Sequence, residues 1–174
     1  MWYFCQGSRT FLSQSRSIQT SVRPLYGEYP CKIDPKGRFL VPAALLKLLP
    51  EEERTQFVLN KGLDHCLVLY PYKIWEQELE KVYSRNQFIA KNRAFARQFQ
   101  NGASPAEIDA QNRILIPKRL AQQAGIDKDL VLFGSFDRIE IWSTAQYESW
   151  LESQTLDPAE LADEIMNDPN HGGH

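Results

Sequence analysis

The stretch IDPKGRFLVP at residues 33–42 decides the fold, because the chain repeats it in altered form as IDAQNRILIP at residues 108–117. Ile, Asp, Arg and Pro recur at the same internal spacing, and every position of the second copy lies 75 residues after its counterpart. Asn112 stands where the first copy has Gly37. The repeat predicts an internal duplication. The replacement of Gly37 by Asn112 raises the question of which backbone conformation both residues can adopt.

Each copy is typical of a β-hairpin. In the first copy, residues 27–33 predict a strand, residues 34–37 (DPKG) a turn and residues 38–42 a second strand. Asp and Pro at the first two turn positions suit a type I turn, and Gly37 then supplies the positive φ that a hairpin with a bulge requires. Because Asn tolerates the left-handed conformation better than most other non-Gly residues, the same turn can form at Asn112.

The elements that follow each hairpin also occur twice. A helix opened by proline follows both hairpins, and two strands follow both helices. The predicted ranges are 43–49, 55–62 and 65–70 in the first copy, and 118–124, 129–135 and 138–143 in the second. Helical periodicity predicts further helices at residues 71–84, 86–100 and 143–153. Since one unit of roughly 45 residues is too small to bury a good core, we expect the two units to share a core around a pseudo-twofold axis.

The charge distribution leaves a nucleic-acid partner open. All 20 Lys and Arg residues lie at or before Arg138, whereas eight of the 22 Asp and Glu residues follow it. Residues 1–138 therefore carry a formal charge of +6, and residues 139–174 carry −8. The net charge of −2 averages a basic body and an acidic end, so it does not exclude binding to DNA.

Several function classes find no support in the sequence. No apolar run approaches the ~18 residues that are needed to cross a bilayer. The three cysteines are odd in number and form no CxxC pair, which indicates a reduced chain without a metal site. The chain contains no GxSxG, P-loop or HExxH motif and no His and Cys pair at ligand spacing. We therefore expect no catalytic residues, no enzymatic activity and no cofactor.

The two ends differ from the body in composition. Residues 1–27 contain no Asp or Glu and carry Arg9, Arg16 and Arg23 among many serines. This composition resembles that of a transit peptide, and it also fits a disordered extension or an upstream start codon chosen in error; we favour the last two. Past Ser153 the chain is acidic, and we expect disorder there.

The polar residues that repeat are Asp34 with Arg38, and Asp109 with Arg113. Asp and Arg flank each turn at positions i and i+4, so a tight hairpin brings them close together. One interpretation is a hairpin salt bridge, which is worth only ~0–1 kcal/mol when exposed. The other is an arginine fork, held in place by the Asp, that binds phosphate or the O6 and N7 atoms of guanine.

Additional cations favour the second interpretation. Lys36 lies in the first turn, and Lys118 and Arg119 lie just beyond the second. Two tips in one chain would give only modest affinity, so we expect several chains to bind together as an oligomer. The rival hypothesis is a protein-interaction module, in which the same tips contact a protein partner.

The order of the motifs resembles that of the MraZ family of bacterial transcriptional regulators. The resemblance covers residues 27–151 and rests on the order GEY, IDPKGR, VPAALL and NKGLDHCLVLYP, followed by a second DxxxRxxxP and by EIW. It implies an α+β fold of two AbrB/MazE-like swapped-hairpin (double-split) β-barrel modules, arranged in pseudo-twofold tandem with short helices.

The resemblance also implies a function. The family regulates the division and cell-wall gene cluster, forms ring-shaped oligomers, and binds short G-rich direct repeats upstream of its own operon. The implied partners are therefore double-stranded DNA and further copies of this chain. The implied DNA-contacting residues are Asp34 and Arg38 with Asp109 and Arg113, and Lys36 fits the usual basic position of the first motif. With the turn residues Gly37 and Asn112 and the nearby cations Lys118 and Arg119, they form the predicted DNA-binding set. The second tip departs from the family pattern at Gln111 and Asn112, so we expect the two tips to read DNA unequally.

These observations predict how the chain is organised. Family chains begin shortly before the GEY motif, so we expect a disordered extension before it. The predicted parts are the extension at 1–26, a first AbrB-like repeat at 27–72, a helical connector at 73–103, a second repeat at 104–147, and the end of the terminal helix with a disordered acidic tail at 148–174. We expect a protein of the cytoplasm and nucleoid that is not membrane-bound and represses its own operon.

Overall fold

The structure, a computed structural model, describes residues 24–154 and 157–167. Its strands are β1 (Glu28–Lys32), β2 (Arg38–Leu40), β3 (Gln56–Lys61), β4 (Leu67–Pro71), β5 (Ser104–Glu107), β6 (Arg113–Leu115), β7 (Asp129–Ser135) and β8 (Arg138–Ser143). Its helices are α1 (Ala43–Leu48), α2 (Tyr72–Tyr83), α3 (Ala90–Gln100), α4 (Lys118–Gln123), α5 (Thr144–Ser153) and α6 (Pro158–Met166), with a 3-10 turn at Glu51–Glu53. The mixed α+β class is as predicted.

The two repeats exchange their first strands. One antiparallel sheet has the order β1-β7-β8-β4-β3-β5, and a separate two-stranded ribbon joins β2 to β6. Strand β1 of the first repeat therefore pairs with β7 of the second, and β5 of the second pairs with β3 of the first. Equivalent residues occupy equivalent positions, since Pro30 lies opposite Val131 and Pro105 lies opposite Val58. This exchange confirms the predicted swapped-hairpin arrangement.

A pseudo-twofold axis passes through the two central strand pairs. In the ribbon, Phe39 lies opposite its own counterpart Ile114. In the sheet, Val68 of β4 lies opposite Glu140 of β8, at the same place in each strand. The predicted symmetry between the repeats is therefore present at the level of residue register.

The core between the ribbon and the sheet belongs to both repeats. Strand side chains alternate between faces, so the inner face of the sheet carries Leu59, Leu69, Leu132 and Ile141, all nearly or fully buried. Phe39 closes this core from the ribbon side. Each repeat alone would expose its half of this surface, so the two repeats stabilise each other.

A second apolar layer covers the outer face of the sheet. Trp75 of α2 stacks on Phe99 of α3 with ring centroids 5.4 Å apart, and Tyr147 of α5 packs against Trp142. Helix α5 has an N-terminal cap, because the Ser143 hydroxyl accepts a hydrogen bond from the Gln146 N–H at 3.3 Å. Helices α2, α3 and α5 thus lie on the side of the sheet opposite the ribbon, whereas α1 and α4 contribute Leu45 and Leu120 to the core on the ribbon side.

Helix α3 is shorter than the sequence predicts. It begins at Ala90 rather than at residue 86, because the Asn86 side chain accepts a hydrogen bond from the Phe88 N–H and forms a turn. Phe88, which lies within the predicted helix range of 86–100, is therefore outside α3. Phe88 is 96% exposed, and Phe99 packs on α2.

The boundaries at both ends also differ from expectation. Leu25, placed by sequence in the extension, is buried and pairs through its backbone with Phe136. Gly134 permits this close approach, since a Cβ there would lie 2.5 Å from the Tyr26 nitrogen. Helix α6 forms where we expected disorder, and Asp157 caps it by accepting from the Ala159 N–H. The rest of the expected N-terminal extension, residues 1–23, lies outside the described residues.

Candidate nucleic-acid interface

The Asp34 carboxylate in the first turn accepts four hydrogen bonds, two from the Arg38 guanidinium and two from backbone N–H groups. Oδ2 of Asp34 accepts from Arg38 Nε at 2.9 Å and from Arg38 Nη2 at 2.7 Å. Oδ1 accepts from the backbone N–H groups of Lys36 and Arg38, both at 2.9 Å. Because two of its nitrogens donate to the same carboxylate oxygen, the Arg38 guanidinium is fixed in direction.

The second turn repeats this geometry. Oδ1 of Asp109 accepts from the backbone N–H groups of Gln111 and Arg113 at 2.9 Å. Oδ2 accepts from Arg113 Nε at 2.8 Å, and Arg113 Nη2 lies 2.8 Å from the same oxygen. One contact has no counterpart in the first turn: Arg113 Nη2 also donates to Gln111 Oε1 at 2.7 Å.

Both turns need a residue in the left-handed conformation. Gly37 has φ +84° and Asn112 has φ +58°, which confirms the prediction that Asn substitutes for Gly in the same turn. The carbonyls of these two residues accept from Ile116 N and Val41 N, both at 2.8 Å. Each turn is therefore anchored to the other repeat. A Cβ on Gly37 would lie 3.1 Å from the Ile116 carbonyl oxygen, so a larger residue at this position would crowd the Ile116 backbone.

The ribbon places both arginines on one face. Arg38 lies opposite Leu115, and Leu40 lies opposite Arg113. Because Phe39 points into the core and side chains alternate along a strand, these four residues share the outer face. Arg38 and Arg113 are diagonal neighbours across the ribbon, and residues in this relation are about 7–8 Å apart, with their Cβ atoms somewhat closer. One chain therefore carries two oriented guanidinium groups on the same face, beside two leucines that are 57% and 54% exposed.

The remaining predicted residues lie in the first turn and at the start of α4. Lys36 is exposed at the tip of the first turn, and Lys118 and Arg119 are exposed in the first turn of α4. Arg119 Nη2 donates to Asn101 Oδ1 at 3.4 Å. The counterparts of these two α4 residues in α1 are Ala43 and Ala44. The second repeat thus carries extra positive charge beside its hairpin that the first repeat does not have.

Sequence reasoning missed three features of this surface. It did not assign a contact to Gln111, it did not place both arginines on one ribbon, and it overlooked the exposed Leu40 and Leu115. Alternation along β2 and β6 was a usable signal for the leucines, because Phe39 and Ile114 occupy the buried positions between them. The pairing of β2 with β6 has no signal in one sequence.

Hydrogen bonding lowers the pKa of both turn carboxyls. Bonds from the backbone N–H and then the side chain of Arg38 lower the pKa of Asp34 to about 2. The bond from the Arg113 side chain is the largest cause that lowers the pKa of Asp109. A lowered folded-state pKa means that ionised Asp34 stabilises the fold above its ordinary pKa of 3.8. This stabilisation is lost as the pH falls toward 2.

The Arg38→Ala variant is expected to raise the pKa of Asp34 only in part. The substitution removes two side-chain hydrogen bonds but leaves the backbone N–H of residue 38, whose bond is the largest cause of the shift. A carbon-detected NMR titration of the Asp34 carboxyl measures this, with Asp109 as the unchanged internal control. An unaltered Asp34 titration would show that the pair does not form in solution.

Metal or membrane sites find no support in the described part of the chain. There, no group of three or more His, Cys, Asp or Glu residues is placed to hold a metal ion. Within the same residues, no helix has the length and apolar character required to span a bilayer. The arrangement on the ribbon offers oriented hydrogen-bond donors and positive charge, which suit an anionic ligand with paired acceptors.

Comparisons with known proteins identify the family. The family model described as "MraZ protein, putative antitoxin-like" matches residues 25–98 and again residues 99–167. The chain is 39% identical over 150 residues to "Transcriptional regulator MraZ" of Christiangramia forsetii, covering 86% of this chain and 97% of the relative. It is 41% identical over 150 residues to the protein of the same name from Flavobacterium psychrophilum, covering 86% and 96%. A relative of that name in Moorella thermoacetica is 41% identical over 142 residues, covering 82% and 96%. With two tandem matches and relatives of this similarity, the chain belongs to the MraZ family.

Proposed function

We propose that this protein is a sequence-specific DNA-binding transcriptional regulator without enzymatic activity. The observation that carries the proposal is the pair of Asp-held arginines on the exposed face of one two-stranded ribbon. The major groove of B-DNA admits a two-stranded β-ribbon, and an oriented arginine recognises guanine through its O6 and N7 atoms. The names of the relatives, transcriptional regulators of the same family, support this reading.

Each residue of the interface has a role in this mechanism. Arg38 and Arg113 contact base edges, and Asp34 and Asp109 hold them in direction. Gly37 and Asn112 give the turns their shape. Lys36, Lys118 and Arg119 contact phosphates, which position the protein but do not specify sequence. Since the two arginines lie on one ribbon, one chain places both of them in the same major groove.

Useful affinity requires several copies of the chain, which we propose assemble as a ring. Exposed apolar side chains on the helical side support self-association: Phe88 is 96%, Ile89 51% and Phe95 47% exposed. Neighbouring copies would place their ribbons in successive major grooves, about 34–36 Å apart along the helix. Such spacing suits short G-rich direct repeats upstream of the protein's own operon, in the division and cell-wall gene cluster. Binding there, in the cytoplasm at the nucleoid, would block transcription.

Salt dependence is the expected signature of this function. Fluorescence anisotropy would compare the full chain on duplex DNA from upstream of its own gene with a scrambled duplex of equal composition. Affinity should fall about 10³–10⁵-fold between ~50 and ~200 mM salt if an assembly neutralises roughly 6–10 phosphates. Its own upstream DNA should bind more tightly at every salt concentration. Equal binding to both duplexes, or no binding, would instead favour a protein-interaction module.

A further inference from the structure

The two arginines differ in the hydrogen-bond donors that they keep. A guanidinium has five N–H groups. Arg38 uses its Nε–H and one N–H of Nη2 on Asp34 Oδ2. Both N–H groups of Nη1 and the second N–H of Nη2 are not used in these bonds. The outer end of this guanidinium therefore offers two parallel donors on neighbouring nitrogens.

Arg113 keeps fewer donors at its outer end. Its Nε donates to Asp109 Oδ2 at 2.8 Å, and its Nη2, 2.8 Å from that oxygen, also donates to Gln111 Oε1 at 2.7 Å. Nη2 thus donates a hydrogen bond to Gln111 and forms an ion pair with Asp109, whereas Nη1 makes neither contact. A single nitrogen cannot supply the paired donors that O6 and N7 of guanine accept together.

The residue two positions after each Asp explains the difference. Lys36 occupies this position in the first turn and Gln111 in the second. An ammonium group has no acceptor and repels a guanidinium, whereas an amide oxygen accepts from one. Lys36 therefore cannot hold the outer end of Arg38, while Gln111 holds that of Arg113. The asymmetry follows from side-chain chemistry at one pair of equivalent positions.

We infer that Arg38 reads guanine with two hydrogen bonds, and that Gln111 restricts Arg113 to a single hydrogen bond with one acceptor. Gln111 is then the specificity-determining residue of the second tip, acting on the ligand through Arg113. This inference rests on the proposed function and refines it. In each chain one tip discriminates bases strongly, and the other contributes affinity with little discrimination.

Reciprocal substitutions at the two equivalent positions test the inference. The readout is the preference ratio, the affinity for the upstream duplex divided by that for the scrambled duplex, at fixed salt. Lys36→Gln introduces an acceptor beside Arg38 and should lower the preference ratio. The loss of one whole bidentate contact would lower it ~5–150-fold, which is the upper limit for this variant. Lys36→Met removes the same charge without an amide acceptor, so it should weaken binding to both duplexes equally. Gln111→Ala releases Nη2 of Arg113 and should raise the ratio.

The outcomes separate this inference from the function on which it rests. If wild-type protein shows no preference, the proposed function fails, and the inference fails with it. If wild type shows a preference but Lys36→Gln and Lys36→Met change the ratio alike, the inference is overturned and the function stands. An unchanged ratio for Gln111→Ala would overturn it as well. The substituted side chains are exposed, so thermal unfolding of each variant should match wild type and exclude misfolding as the cause.

Discussion

The Leu59→Ala variant is expected to lose about 3–5 kcal/mol of its free energy of unfolding, because the substitution leaves a cavity in the core. Leu59 is fully buried in the core that both repeats build. It lies in β3, between Leu69 of the first repeat and Ser104 of the second. The free energy of unfolding of a typical domain is roughly 5–15 kcal/mol, so a loss of this size is a large share of it.

Two measurements make this prediction specific to the shared core. Chemical denaturation gives the free energy of unfolding, with Leu63→Ala as the matched control, since Leu63 is 92% exposed and its truncation should cost almost nothing. Hydrogen exchange then shows where protection is lost. Strands β7 and β8 should lose as much as β3 and β4 do. Loss confined to β3 and β4 would mean that the repeats fold as separate units.

The hairpins were predictable because their determinants are local. Turn chemistry at Asp34 and Gly37 fixes the first turn, and the left-handed tolerance of Asn predicts the φ of +58° at Asn112. The contact of each Asp with its Arg follows from their spacing across the turn. Strand alternation was a usable signal for which side chains are buried, since that period belongs to the backbone itself.

Strand partners were not predictable from residue pattern alone. Alternation along β1 predicts which side chains lie on which face of the sheet, but it does not predict the neighbouring strand. The pairing of β1 with β7 rather than with β3 or β4 therefore could not be predicted from the residues. The resemblance to the family supplied the exchange instead. Leu25 was missed because its partner, Phe136, lies more than 100 residues away in sequence. The contact of Gln111 with Arg113 was missed because equivalence to Lys36 suggested a surface polar residue and nothing more.

The Arg38→Ala variant is expected to abolish the preference of the protein for its own upstream DNA. One bidentate arginine contact discriminates between bases by about 1–3 kcal/mol, or roughly 5–150-fold. Because each copy in an assembly carries the same substitution, losses at successive grooves multiply. The effect on the preference ratio should therefore exceed the loss at a single site.

Arg38→Lys and Arg85→Ala separate the possible causes of that loss. Arg38→Lys retains the positive charge but lacks the planar fork, so it should keep the salt dependence of wild type and lose the preference ratio. Arg85→Ala removes one exposed arginine between α2 and α3, helices that cover the opposite face of the sheet, and should leave the ratio unchanged. If Arg38→Lys kept the full preference, charge rather than geometry would select the DNA, and the Asp34 carboxylate would be only a brace of the hairpin. If it loses the preference while binding persists, the fixed direction of the guanidinium reads the sequence, which is what four hydrogen bonds to one carboxylate achieve in this turn.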